Sequence, residues 1–137
     1  MPDSSLHHVG YVVTSIAASI DRWRHAVMPV SISRVSDDTI QRARVIFLDL
    51  PPDGAVKLEL VEPLGPDSPV TGFAQKGGGL HHLCFEVDDI QEQIDAMKRL
   101  KAMLIRRPQP APAFGERRIA WMLTRDKLLL EYLERSR

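Results

Sequence analysis

Cysteine is nearly missing from this chain: Cys84 is the only one among 137 residues. No disulfide can close within it, which fits a reducing compartment and leads us to expect the cytoplasm. Net charge is missing as well. Eighteen Lys and Arg face eighteen Asp and Glu, so no global field draws the protein toward nucleic acid or an anionic membrane. No apolar run approaches the ~18 residues that read as a membrane-spanning helix. Met1-Pro2-Asp3-Ser4-Ser5 has neither a basic nor an apolar leader stretch, and the expectation is a chain without a secretion signal. What is present is ordinary for a globular protein, 44% hydrophobic and 26% charged residues. The length suits one domain over 1–137, able to bury roughly two-thirds of its unfolded surface.

Self-similarity organises the rest. Leu6-His7-His8-Val9-Gly10-Tyr11-Val12-Val13 matches Leu80-His81-His82-Leu83-Cys84-Phe85-Glu86-Val87 at an offset of 74. The same offset pairs Ile16 with Ile90, Ile20 with Ile94 and Asp21 with Asp95. Further on, Leu58-Glu59-Leu60-Val61-Glu62 is echoed by Leu130-Glu131-Tyr132-Leu133-Glu134. His8 to Glu59 is 51 residues and His82 to Glu131 is 49. Alternation of Val9, Tyr11 and Val13, and of Leu83, Phe85 and Val87, predicts a strand at the head of each copy. Ile16, Ile20, Trp23 and Val27, and likewise Ile90, Ile94 and Met97, then fall on one helical face. Asp89 with Glu92 three positions on reads as a capping pair.

Three strands complete each half, at about 30–36, 42–50 and 55–62, and at about 103–107, 117–123 and 127–133. The prediction is therefore an α+β fold of two tandem βαβββ modules, an eight-stranded mixed sheet around a metal site. Module one covers about 6–65, a linker about 66–79 and module two about 80–135. In the linker, Ser68-Pro69 should open a helical turn through Phe73 and Gln75, with proline at its first position. The run from Pro108 to Gly115 holds three prolines, excludes a central strand or helix, and reads as a surface loop.

Strand parity selects the chemical residues. His7 shares the apolar, helix-facing side with Val9, Tyr11 and Val13, which leaves His8 on the other side. By the same rule His81 goes with Leu83, Phe85 and Val87, and His82 lies opposite. Glu59 and Glu131 are carboxylates set within apolar strands, costly unless paired or coordinated. Two imidazoles and two carboxylates from equivalent positions make a metal set, His8, Glu59, His82 and Glu131. Nitrogen and oxygen donors without thiolate suit Zn²⁺, Mn²⁺, Co²⁺, Ni²⁺ or Fe²⁺. Taken singly, each residue reads more readily as structural; the repeated order and spacing favour the metal. His25 reads as a surface residue, Cys84 as a small buried one, and Arg106, Arg107, Arg117 and Arg118 as either an anion site or a solvated basic rim.

These segments resemble the vicinal oxygen chelate superfamily, and within it the methylmalonyl-CoA epimerases most closely. The likeness covers nearly the whole chain. It is carried by Leu6-His7-His8-Val9-Gly10, by Gly79-Leu80-His81-His82 with Phe85-Glu86-Val87-Asp88-Asp89-Ile90, and by Leu58-Glu59-Leu60-Val61-Glu62 running on through Pro63-Leu64-Gly65-Pro66-Asp67-Ser68-Pro69. The resemblance implies an open, cupped sheet, a homodimer, a divalent metal on His8, His82 and Glu131 with Glu59 at a Gln or Glu ligand position, and an acyl-CoA thioester as substrate. The sequence departs from the family in two places. Ile40 stands where those enzymes carry a second acid/base glutamate, so Asp37 or Asp38 could replace it only from a shifted loop. Leu123-Thr124-Arg125-Asp126-Lys127 is also shorter than the family's turn before the last strand.

The expected reaction is proton abstraction next to a carbonyl, with Glu131 as first candidate base and Glu59 as second. Methylmalonyl-CoA epimerisation, or that of a related acyl-CoA, is the leading expectation. The alternatives are a glyoxalase I-like lyase or isomerase, which the retained Glu59 favours, and a non-catalytic small-molecule-binding protein of the resistance type.

Overall fold

A computed structural model describes residues 4–136. The strands are β1 (Ser4–Val12), β2 (Ser31–Ile32), β3 (Ser36–Asp38), β4 (Ala43–Asp49), β5 (Lys57–Pro63), β6 (Gly79–Val87), β7 (Met103–Pro110), β8 (Arg118–Leu123) and β9 (Leu129–Glu134). The helices are α1 (Ile16–Val27), α2 (Thr71–Gln75) and α3 (Ile90–Arg99). Among the described residues no helix is long and apolar enough to cross a membrane.

The chain forms two compact units. His8–His81 make the first; residues up to His7, together with those from His82 onward, make the second. In the first unit the strand order is β2-β4-β5-β1, with β3 also on β4. β1 runs parallel to β5, and β4 antiparallel to it. The second unit repeats the plan as β6-β9-β8-β7, with β6 parallel to β9 and β8 antiparallel to it. A parallel pair cannot be joined by a tight turn, so in each copy a helix-containing crossover separates the first strand from its partner.

Parity behaves as the alternation predicts. Val9, Tyr11 and Val13 pack with Ile16, Ile20, Trp23 and Val27 of the α1 region over Ile46, Leu48, Leu58 and Leu60. Leu83, Phe85 and Val87 pack with Ile90, Ile94 and Met97 over Ala120, Met122, Leu130 and Tyr132. Each sheet therefore keeps one apolar face under its helix, and the other face is left for polar side chains. The helix starts are capped. Ser15 accepts from Ala18 N at 3.1 Å and Asp89 from Glu92 N at 2.9 Å, each satisfying a donor that helix geometry leaves open. At α1 a second cap comes from the sheet, where Glu62 Oε1 accepts from Ile16 N at 2.7 Å.

Three local expectations are corrected. The strand expected at 30–36 is two short strands, because Phe47 N donates to the Ser33 hydroxyl at 2.9 Å in place of a ladder carbonyl, and the pairing breaks there. Among the described residues the eight-stranded mixed plan thus counts nine strands, one of the eight being split in two. Pro108 and Pro110 lie within β7 and not in a loop. That strand ends the sheet of the second unit and bears register shifts, so its missing donors cost no ladder bond on the open side. The loop proper is the short 3-10 turn Pro112–Phe114 with Gly115 after it. Lastly, α2 begins at Thr71, so Pro69 belongs to the preceding turn and not to the first helical position.

Candidate functional site

In the first unit, His8 and Glu59 come from parallel neighbours. Gly10 is the register partner of Glu59, so His8 sits two residues back along β1 on the same face. The imidazole and the carboxylate lean together, His8 Nε2 lying 3.3 Å from Glu59 Oε1. Phe47, opposite Glu59 on β4, meets the His8 ring edge-on at 5.5 Å and 70°. His8 is wholly buried and Glu59 is 6% exposed.

The second unit builds the same group. Cys84 is the register partner of Glu131 and takes the place Gly10 has in the first unit. His82 Nε2 is 3.5 Å from Glu131 Oε1. Trp121, opposite Glu131 on β8, meets the His82 ring edge-on at 4.7 Å and 79°. His82 is 4% exposed and Glu131 3%. Each unit thus holds an imidazole, a carboxylate and an aromatic wall in the same register. The sequence reasoning missed Phe47 and Trp121. Yet 47 and 121 differ by 74, the offset that relates the His-His pairs, so the signal was available.

These separations fit a metal better than a hydrogen bond. N–H···O bonds centre near 2.9–3.0 Å. Two donors each about 2.1 Å from one cation lie about 3.0 Å apart at a right angle and about 3.4 Å apart at the tetrahedral angle. The observed 3.3 Å lies near the open end of that range and 3.5 Å just beyond it. Carboxylates this deeply buried also need a neighbouring positive charge to remain ionised. The donor chemistry and the spacing within each unit therefore suit a divalent cation of the nitrogen- and oxygen-preferring kind.

The other candidates sort by face. Cys84 is fully buried among Ala111, Ile119 and Leu133 and serves as a small packing residue. His25 sits on the exposed side of α1, its Nδ1 2.8 Å from Asp21 O. His7, expected under the helix, is instead buried against Phe114 at 5.5 Å, and His81 contacts Phe73 at 5.2 Å. The first histidine of each pair thus holds an aromatic from a connecting segment.

The four-arginine cluster divides. Arg118 lies on the helix side of its sheet and pairs with Glu134 at 2.6 Å, which holds its guanidinium above the ordinary range. Arg117 lies on the opposite side with Glu86 at 2.9 Å. Arg106 is the register partner of Trp121, and Arg107 is exposed.

Neither stand-in for the family's second acid/base residue is free for proton transfer. Asp38 accepts from Ile40 N at 3.0 Å and Gln41 N at 2.9 Å, so its carboxylate builds the turn. Asp37 is gripped by Arg44 at 2.8 and 3.2 Å, which holds its carboxyl below the usual range. Ile40 itself lies in that turn, 41% exposed.

The chain is similar to known proteins in sequence and in fold. The sequence pattern of the glyoxalase/bleomycin resistance protein/dioxygenase superfamily matches residues 7–121. An ethylmalonyl-CoA/methylmalonyl-CoA epimerase of Cereibacter sphaeroides is 34% identical over 107 residues, 77% of this chain and 77% of that protein. The mitochondrial methylmalonyl-CoA epimerase of Mus musculus is 38% identical over 98 residues, 70% of this chain and 53% of its own length, so the match spans about half of that relative. The crystal structure of methylmalonyl-CoA epimerase from Mycobacterium tuberculosis superposes with a TM-score of 0.83 at 22% identity, covering 96% of this chain and 88% of that one, a likeness of fold. With the repeated βαβ plan, the duplicated His–Glu pair and a sequence pattern that runs from His7 to Trp121, the chain belongs to the glyoxalase/bleomycin resistance protein/dioxygenase superfamily.

Proposed function

We propose that this protein is a metal-dependent epimerase of methylmalonyl-CoA or a closely related acyl-CoA, acting by proton abstraction next to the thioester carbonyl. The observation that carries the reading is the duplicated pair, His8 with Glu59 and His82 with Glu131, each buried and each at ligand-like separation. One pair offers two donors, too few to hold a cation firmly. Our reading assigns both pairs to one cation, His8, Glu59, His82 and Glu131, a nitrogen and oxygen donor set of the kind that Co²⁺, Mn²⁺, Ni²⁺, Zn²⁺ or Fe²⁺ would accept. Relatives named for this activity, at 34% and 38% identity, support the substrate class.

When bound, the cation supplies Lewis-acid stabilisation of the charge that develops on the substrate oxygen, worth several kcal/mol. Glu131 takes the α-proton; its carboxylate is buried beside Trp121 and the strand neighbours. Glu59, in the same surroundings in the first unit, would enter the step protonated and deliver that proton to the opposite face of the planar intermediate, and exchange with solvent then restores both carboxyl groups. This pairing replaces the glutamate that Ile40 displaces. The imidazoles of His8 and His82, fixed edge-on by Phe47 and Trp121, orient the carboxylates and carry no proton in the step. A glyoxalase I-like isomerisation of another carbonyl substrate is the second reading, favoured by Glu59 at a position that needs only a ligand. We place the protein in the cytoplasm as a homodimer, which light scattering of the purified chain checks.

The test is to incubate the Co²⁺-loaded protein with (2R)-methylmalonyl-CoA in D₂O and follow α-proton exchange and chirality. Exchange with inversion is expected. Metal binding without exchange would remove the acyl-CoA and leave the second reading. Full turnover in both Glu59→Gln and Glu131→Gln would refute the assignment of the two bases.

A further inference from the structure

On the site face of the second unit, one charged pair has no part in the chemistry above. Glu86 follows His82 and Cys84 on the same side of β6, and Arg117 Nη1 reaches its Oε2 at 2.9 Å. Arg117 Nε also donates to Phe114 O at 3.3 Å. Two contacts therefore fix the plane of the guanidinium and leave the remainder of its fork undirected by them. Both side chains are about a quarter exposed, 23% and 26%.

The loop that bears Arg117 does not need this pair to hold its shape. Ala111 N donates to Arg117 O and Glu116 N to Ala111 O, both at 3.0 Å. Ala111 is buried with Cys84, Ile119 and Leu133, and Phe114 packs on the same cluster while meeting the His7 ring. A partly exposed ion pair adds little stability of its own. Its position is the telling feature. Glu86 is two residues beyond Cys84, the register partner of Glu131, so the pair stands about 7 Å along the strand from the row that holds Glu131. The neighbouring Arg118, on the opposite face with Glu134, shows that a cation at this end of β8 does not have to face the site.

We infer that Arg117 is the substrate-positioning residue of this site, a preorganised fork that receives an oxyanion of the substrate other than its thioester oxygen, with Glu86 as the counter-charge that holds it ready. The inference rests on the acyl-CoA reading. It names one ligand chemistry, an oxyanion, with two sources, the carboxylate of the acyl group or a phosphate of CoA. A planar guanidinium suits either through paired N–H donors. The incoming anion shares the guanidinium with Glu86, so the Glu86 carboxylate weakens binding even as it sets the geometry.

Calorimetric titration of the Co²⁺-loaded protein with methylmalonate and, separately, with CoA tests this without turnover. Arg117→Gln is expected to weaken one of the two probes about tenfold, and the probe affected identifies the source. Arg117→Lys recovers part of the loss, since it returns charge without the fork. Glu86→Gln tightens the same probe several-fold, and Arg118→Gln changes neither. A structural clamp would give a different result, with Arg117→Gln and Glu86→Gln both lowering the melting temperature and leaving both affinities unmoved. That outcome, in protein that still exchanges the α-proton of methylmalonyl-CoA, overturns the inference and keeps the function. If neither probe binds the unaltered protein and no exchange occurs, the acyl-CoA reading is lost and this inference with it.

Discussion

Replacing Glu131 by Gln should remove most of the stabilisation that a divalent metal confers on this protein. Glu131 is 3% exposed and its Oε1 stands 3.5 Å from His82 Nε2. Gln keeps the shape and loses the anionic donor. At a metal concentration about 1,000 times Kd, binding to the native state stabilises it by about 4.1 kcal/mol. In a chain of this length that raises the melting temperature by about 12 °C, taking about 3 °C per kcal/mol. If the lost ligand weakens binding about a hundredfold, about 1.4 kcal/mol remains, or about 4 °C. The quantity to measure is the difference between melting temperatures with metal and with chelator, for each variant against its own chelated form. This cancels whatever the substitution does to the metal-free fold. Glu59→Gln should lose a similar share, because Glu59 has the same register and burial in the other unit. Glu134→Gln, which touches only the Arg118 pair, should keep the whole increment. Elemental analysis should find one ion per chain. An increment in Glu131→Gln or Glu59→Gln equal to that of the unaltered protein would refute the proposed ligand set. So would two ions per chain.

Gly78 has φ +72°, and a Cβ there would lie 2.3 Å from Val12 O. Gly78→Ala should therefore cost about 3 kcal/mol or more by urea denaturation, joining a left-handed penalty to a backbone clash. Gly115→Ala, at φ +63° with nothing within 4 Å of the added carbon, should cost only about 1 kcal/mol. Asp89→Ala removes the cap on Glu92 N and should destabilise by about 1 kcal/mol in the same assay. Burial pushes the Tyr132 phenol above its ordinary range, against a smaller opposing hydrogen bond with Gln93. Above pH ~10 the unfolded chain loses this proton first. Stability should then fall as pH rises toward the folded value, and Tyr132→Phe should abolish a late phase in the tyrosinate absorbance titration.

Much of the site is legible in the order of the residues. Alternation along Leu6–Val13 and Leu80–Val87 is a period-two signal, and it placed His8 and His82 on the face away from the helices, where they are found. The offset between the two copies named Glu59 and Glu131 as partners in kind. Both signals are local or self-referential, which is why a single sequence carries them. The amphipathic faces of α1 and α3 and the Asp89 cap were legible for the same reason.

Strand neighbours were only partly legible: the 74-residue offset relates Phe47 to Trp121, but what they touch depends on pairing between residues far apart in the chain. Only the β5–β4 and β9–β8 registers put Phe47 and Trp121 against the carboxylates. Only the edge position of β7 makes Pro108 and Pro110 tolerable in a strand, by leaving one side without a partner to bond. The sides taken by Arg117 and Arg118 depend on the same registers, and so does the role of each. Asp38 could be weighed as a base from sequence, but its carboxylate closes the turn onto β4. By itself, then, the sequence determined the repeat, the helix faces and the kinds of donor available. The tertiary structure decided which side chains meet, because contact distances and burial are set by pairings that no local pattern encodes.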